Sequence, residues 1–123
     1  MRKTDIRVEP VDAFFERARK TAELADKRGR IPHSRIVAFE DVEDLLGVLT
    51  QQRVLLLKAL KKAPGSITEL ARNLKRDRSA VARDVQVLQR HGVVKVSERS
   101  LPGHGRQKWV TPVGQDIQLT AHL

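Results

Sequence analysis

Ser66 and Glu69 open the segment that most restricts what this chain can become. Their S-x-x-E spacing is that of a capping box: the serine oxygen accepts from the third backbone N–H, and the glutamate reaches back to the N–H of the cap. A helix is expected to start here. Leu70, Ala71 and Leu74 give it an apolar stripe, and the polar run Lys75-Arg76-Asp77 interrupts it after about two turns. Asp77 suits the cap of a second helix. From Arg78 to His91 the apolar residues Val81, Val85 and Leu88 recur at helical spacing, and Gly92 stands where helices commonly end in a left-handed residue.

The opposite face of this second helix holds Ser79, Arg83, Gln86 and Arg90. Arginine offers two donors to a guanine edge and glutamine matches adenine, so the face is able to read bases. A merely solvated helix face fits the helix alone equally well. The next segment shifts the balance. Val93, Val94 and Val96 predict a strand, Ser100-Leu101-Pro102-Gly103-His104-Gly105 a break, and Gln107 to Thr111 a return strand. Lys95, Arg99, Arg106 and Lys108 place positive charge along this hairpin, within reach of phosphates beside a groove. Trp109, the one Trp, is expected to pack under the hairpin rather than stack on a base. Helix, turn, helix and basic hairpin, in that order, make a winged helix-turn-helix, whose second helix lies in the major groove.

The run Thr68-Glu69-Leu70-Ala71, then Arg78-Ser79-Ala80-Val81-Ala82-Arg83-Asp84, Val87-Leu88 and Gly92-Val93-Val94, resembles winged-helix regulators of the MarR and ArsR type. From about Phe14 to Leu123 the chain is similar to a group of short prokaryotic DNA-binding proteins with a Phe-Glu-x-x-x-x-Leu-x-x-x-Leu segment before this domain, here Phe39 to Leu49; the group includes antitoxin-like members. DNA contacts are expected from Thr68, Lys75, Arg76, Arg78, Ser79, Arg83, Gln86, Arg90, Arg99, His104, Arg106 and Lys108. Many relatives carry Gly where this chain has Lys75, so a strained or rearranged turn is expected there. ArsR-type relatives often sense metals through cysteine, and this chain has none. No cofactor is expected.

The charge agrees with an anionic partner. Lys and Arg total 24 against 15 Asp and Glu, a net charge of +9, and most of the excess lies between Lys75 and Lys108. Catalysis is not expected. His33, His91, His104 and His122 stand singly, Asp84 reads as a salt-bridge or capping partner of a neighbouring helix, and no phosphate loop or nucleophile elbow is present. No signal peptide or apolar run of the ~20 residues that a membrane span needs appears, so a cytoplasmic protein is expected.

The remaining segments predict a short strand at Ile6 and Val8, and a helix with an apolar face of Val11, Phe14, Phe15, Ala18, Ala22 and Ala25 ending at Lys27-Arg28-Gly29. A basic loop from Lys27 to Arg35 then leads to a strand at Ile36 to Phe39. Helices follow at Asp41 to Leu49 and Thr50 to Lys62, the second stopped by Pro64-Gly65, with Val54 to Leu60 as core. Ile117, Leu119, Ala121 and Leu123 alternate with polar residues as a strand with one buried face, which needs the N-terminal strand or a second subunit's strand as partner. The expected fold is α+β and mainly helical. It has an N-terminal strand-helix-strand extension over 1–40, a winged helix-turn-helix over 41–112 and a C-terminal strand over 113–123, with homodimer contacts on the first helix and end strands. The alternative is that both ends pack on their own subunit. Two functions fit: sequence-specific binding of double-stranded DNA as a transcriptional regulator, or an antitoxin that neutralises a small toxin protein and regulates its own promoter.

Overall fold

A computed structural model describes residues 3–27, 34–103, 105–114 and 116–121; most of the expected basic loop, 28–33, and His104 lie outside them. The described elements run β1 (Lys3–Val8), α1 (Val11–Asp26), β2 (Ser34–Phe39), α2 (Val42–Val48), α3 (Gln51–Lys62), β3 (Gly65–Ser66), α4 (Ile67–Leu74), α5 (Arg78–Arg90), β4 (Val94–Leu101), β5 (Gly105–Pro112) and β6 (Asp116–Ala121). None of the helices described is long and apolar enough to cross a membrane.

Two three-stranded sheets flank the helices. The first has the order β2-β1-β6 with both pairings parallel, Ile6 standing beside Val37 on one side and Leu119 on the other. The C-terminal strand thus takes its own chain's N-terminal strand as partner. β1 is central and both its edges are used, so of the two end strands only β6 keeps an open edge. Leu119 stays 52% exposed on the edge strand, so the expected buried face of β6 is only partly covered. The second sheet, β3-β5-β4, is antiparallel.

One apolar cluster joins these parts. Ile6, Val8 and Phe39 of the first sheet pack in the same core as Leu45 of α2, Leu56, Leu57 and Leu60 of α3, Leu70 of α4, Val81, Val85 and Leu88 of α5, and Val110 of β5. The run Val54 to Leu60 is not uniformly core, since Leu55 sits on the outer side of α3 and is 42% exposed. At the far end of β1, Glu9 receives a paired hydrogen bond from Arg17 of α1. That guanidinium holds the Glu9 carboxyl below the usual carboxylate range, outweighing the opposing effect of burial.

The helix ends follow local chemistry. Ser66 Oγ accepts from the Glu69 N–H at 3.1 Å, one arm of the capping box. The Glu69 carboxylate lies over Gly65 instead of closing the other arm: a Cβ at Gly65 would stand 2.9 Å from Glu69 Oε2. α4 ends with Lys75 in the left-handed region, φ 53° and ψ 46°. The Lys75 N–H bonds Arg72 O and the Arg76 N–H bonds Ala71 O, a Schellman pair built on a residue with a Cβ. α5 ends the same way on Gly92, with the Gly92 N–H on Gln89 O and the Val93 N–H on Leu88 O, both at 2.9 Å. The tight turn between α4 and α5 is therefore made by backbone hydrogen bonds that any residue supports, at the cost of a positive φ at Lys75.

Candidate nucleic-acid interface

α5 has two unlike sides. Val81, Val85 and Leu88 are 2% exposed or less. Arg83, Gln86 and Arg90 are exposed, and no ion pair among the described residues engages either arginine. Beneath the helix, Asp84 is buried and takes two arginines: Arg53 Nε of α3 at 3.0 Å and Arg76 Nη1 of the turn at 2.7 Å. Arg53 also donates to Gly47 O and Val48 O at the end of α2, where a cation offsets the helix dipole. This cluster fixes α5 against α2 and α3. It also removes Arg76 from the set of sequence-expected contacts on the outer surface, because that side chain is turned inward to Asp84 with 19% of it exposed.

The first turn of α5 is arranged differently from the expectation. Asp77 occupies the cap position, yet its carboxylate accepts from Ser79 Oγ at 2.5 Å rather than from a backbone N–H. Arg78 Nε donates to Thr68 Oγ1 at 3.1 Å, linking the starts of α4 and α5. Ser79, Arg78 and Thr68 are all exposed, and Lys75 stands exposed at the turn beside them.

The hairpin is longer than its sequence reading. Ser100 and Leu101 belong to β4, pairing with Arg106 and Gly105, and the described residues of the turn between them are Pro102 and Gly103, the latter at φ 81°. Register divides the four basic residues. Glu98 pairs with Lys108 and Ser100 with Arg106, on the face that also carries Val96 and Val110. Arg106 and Lys108 therefore turn toward α5. Together with Thr68, Arg78, Ala82 and Gln107 they line a cleft of about 490 Å³ between the helix starts and the hairpin. Lys95 and Arg99 lie on the other face, where Arg99 sits over the Trp109 ring at 4.1 Å, a cation–π contact. Arg106 meets Glu98 at 3.4 Å with both side chains mostly exposed, a contact that water weakens.

Among the sequence-expected residues, the fold thus gathers Thr68, Lys75, Arg78, Ser79, Arg83, Gln86, Arg90, Arg106 and Lys108 along α5 and its cleft. Arg99 is parked on Trp109, Arg76 is withdrawn, and His104 is outside the described residues. Sequence reasoning passed over Gln107, which lines the cleft between Arg106 and Lys108, and Arg53, whose partner lies 31 residues away.

Among solved structures, the chain is similar to one titled "Possible transcriptional regulator" from Methanosarcina mazei Go1, at 26% identity and a TM-score of 0.48. That match covers 58% of this chain and 64% of the other, so the chain spans less than two thirds of that neighbour. No curated protein matches it. The family model HVO_A0114 matches residues 48–116, more than half of the sequence, from the end of α2 to the start of β6, and the chain belongs to the HVO_A0114 family.

Proposed function

We propose that this protein is a winged helix-turn-helix transcriptional regulator, of the general MarR and ArsR type, that binds double-stranded DNA by sequence. The observation that carries the reading is the uncommitted outer face of α5, with Arg83, Gln86 and Arg90, beside a cleft lined by Arg78, Arg106 and Lys108. A helix offering bidentate donors fits the major groove, and cations on an adjoining hairpin fit the flanking phosphates. The buried ion cluster at Asp84 supports the same reading, because it holds the helix rigid without using any outward-facing charge. In this reading the protein acts by binding, carries no catalytic chemistry and works in the cytoplasm.

The test separates helix from hairpin. The preferred site is first selected from a random duplex pool, and affinities are then measured on that site and on random DNA. Arg83→Ala is expected to cost about 1–3 kcal/mol on the selected site and little on random DNA. Arg106→Ala is expected to weaken both alike. Equal losses on both duplexes for Arg83→Ala would refute base reading by α5.

A further inference from the structure

α1 is the one helix described that buries no residue. Ala13, Arg17 and Thr21 are its partly covered positions, spaced to form one line along the helix, and Arg17 is tied to Glu9 on that side. The apolar stripe of Val11, Phe14, Phe15, Ala18, Ala22 and Ala25 lies about a third of a turn further round. None of the described residues buries it: Val11 is 43% exposed, Phe14 42% and Phe15 64%.

The stripe carries a symmetry of its own. Phe14 stands four residues before Ala18 and Ala22 four after it; Val11 stands seven before and Ala25 seven after. Two such helices laid antiparallel about a two-fold axis at Ala18 set Ala18 against its copy, each Phe14 over an Ala22 and each Val11 over an Ala25. Large meets small on either side of a small-on-small contact at the axis, the condition under which helix faces interdigitate, while Phe15 flanks the seam. A second copy of this chain supplies that match, and a two-fold contact demands this self-complementarity. Charge points to the same occupant. α1 holds four acids, Asp12, Glu16, Glu23 and Asp26, against three bases, Arg17, Arg19 and Lys20, while the whole chain carries +9. Two copies repel through their basic surfaces and can approach through this one. No residue of α1 lines the basic cleft beside α5, so pairing leaves that cleft open.

We infer that α1 is the surface through which two copies of this chain pair, antiparallel, about an axis at Ala18. The inference does not depend on DNA binding. The helix is about 24 Å long, and its footprint falls below the ~800 Å² per partner of a standard interface. The dimer is therefore expected to dissociate reversibly at micromolar concentration.

Sedimentation equilibrium of the full chain from about 1 to 100 μM reads this directly. The wild type is expected to pass from monomer to dimer, and Ala18→Arg, which sets two like charges on the axis, to weaken pairing at least about tenfold. Ala18 is exposed in the single chain, so an unchanged thermal melt identifies the loss as one of pairing. The register has its own readout, because the chain has no cysteine. On mild oxidation Ala18→Cys is expected to cross-link to itself, whereas Phe14→Cys cross-links only when mixed with Ala22→Cys. A wild type that stays monomeric at 100 μM overturns the inference, whether or not α1 captures some other protein. So does a dimer indifferent to Ala18→Arg, or cross-linking that ignores position.

Discussion

Replacing Asp84 by alanine should destabilise the protein more than any other single change at a charged residue of the α5 region. Its carboxylate accepts from Arg53 at 3.0 Å and Arg76 at 2.7 Å, and the three side chains are 12%, 18% and 19% exposed in the order Asp84, Arg53, Arg76. Breaking a fully buried ion pair by removing one partner costs about 3–5 kcal/mol, since the other charge is stranded. Two features lower that figure here. The residual exposure lets water reach the guanidiniums, and Arg53 keeps its bonds to Gly47 O and Val48 O at 2.9 and 3.1 Å. Arg76, at the turn, loses its described partner and swings to solvent. A loss of about 2–3 kcal/mol is expected, out of a total that is about 5–15 for domains of this kind. For a chain of this length it corresponds to a fall of about 10 °C in Tm. Urea denaturation with an unchanged slope measures it, and Asp84→Asn should lie between wild type and alanine. In the Arg76→Ala background, Asp84→Ala should cost less by about 1 kcal/mol or more, because one of the interactions is already gone. An Asp84→Ala protein within about 0.5 kcal/mol of wild type would refute the claim that this cluster anchors α5.

Two further outcomes are expected. If Lys75, Arg78, Arg106 and Lys108 each meet one phosphate, the slope of log affinity against log salt should be about −3.6 per chain, and affinity should fall roughly 150-fold between 50 and 200 mM salt; an affinity flat across that range would rule out phosphate-led binding. Lys75→Gly should raise the urea midpoint by the equivalent of about 0.5–1 kcal/mol by relieving the positive φ, while weakening DNA binding through the lost charge; a loss of stability would refute strain at that turn.

The parts of this fold that were legible in the sequence are those whose signal is local. α4 and α5 could be placed because a cap, an apolar stripe and a stop residue fall within about a dozen positions of one another. β4 was read too short because Ser97 to Ser100 are polar on both faces of the hairpin tip, leaving no alternation to follow. β3 was hidden for a related reason: two residues, Gly65 and Ser66, carry no period, and Pro64-Gly65 reads as a stop. The site was legible as a set of charges and illegible as a geometry. Arg76 and Arg78 look alike in sequence, yet one is drawn to Asp84 and the other to Thr68, and only the way α4, the turn and α5 fold on one another separates them. Strand order was equally beyond reach, since the pairing of β1 with both β2 and β6 is decided by contacts far apart in the chain.

The matched family segment, 48–116, contains the helices and hairpin of the proposed DNA surface, whereas β1, α1 and β2 lie outside it. The proposed reading and pairing surfaces would thus fall on different stretches of the chain, joined through the strands before and after α1: Ile6 and Val8 of β1 and Phe39 of β2 share one core with Val81, Val85 and Leu88 of α5. A link of that kind has an energetic consequence for a regulator that pairs through α1. One small winged domain covers limited DNA, and its affinity is modest. Once one copy is bound, the second meets its half-site at an effective concentration near millimolar, so the gain comes from geometry without any new contact. The gain is realised only if the two α5 helices are held about 34 Å apart, one turn of DNA, or a multiple of it. With β1 and β2 in one core with α5, and α1 tied to the end of β1 through Arg17 and Glu9, that distance follows the register of the α1 pair, and a slip of one helical turn there moves the helices by about 5.4 Å relative to each other. Such a slip keeps Phe14 against a small residue, Ala18, but moves Val11 from Ala25 to Thr21 on the partly covered line of the helix, so the register centred on Ala18 is the one that matches both large residues. The symmetry of an exposed stripe would in this way fix the spacing of the DNA sites the protein can read.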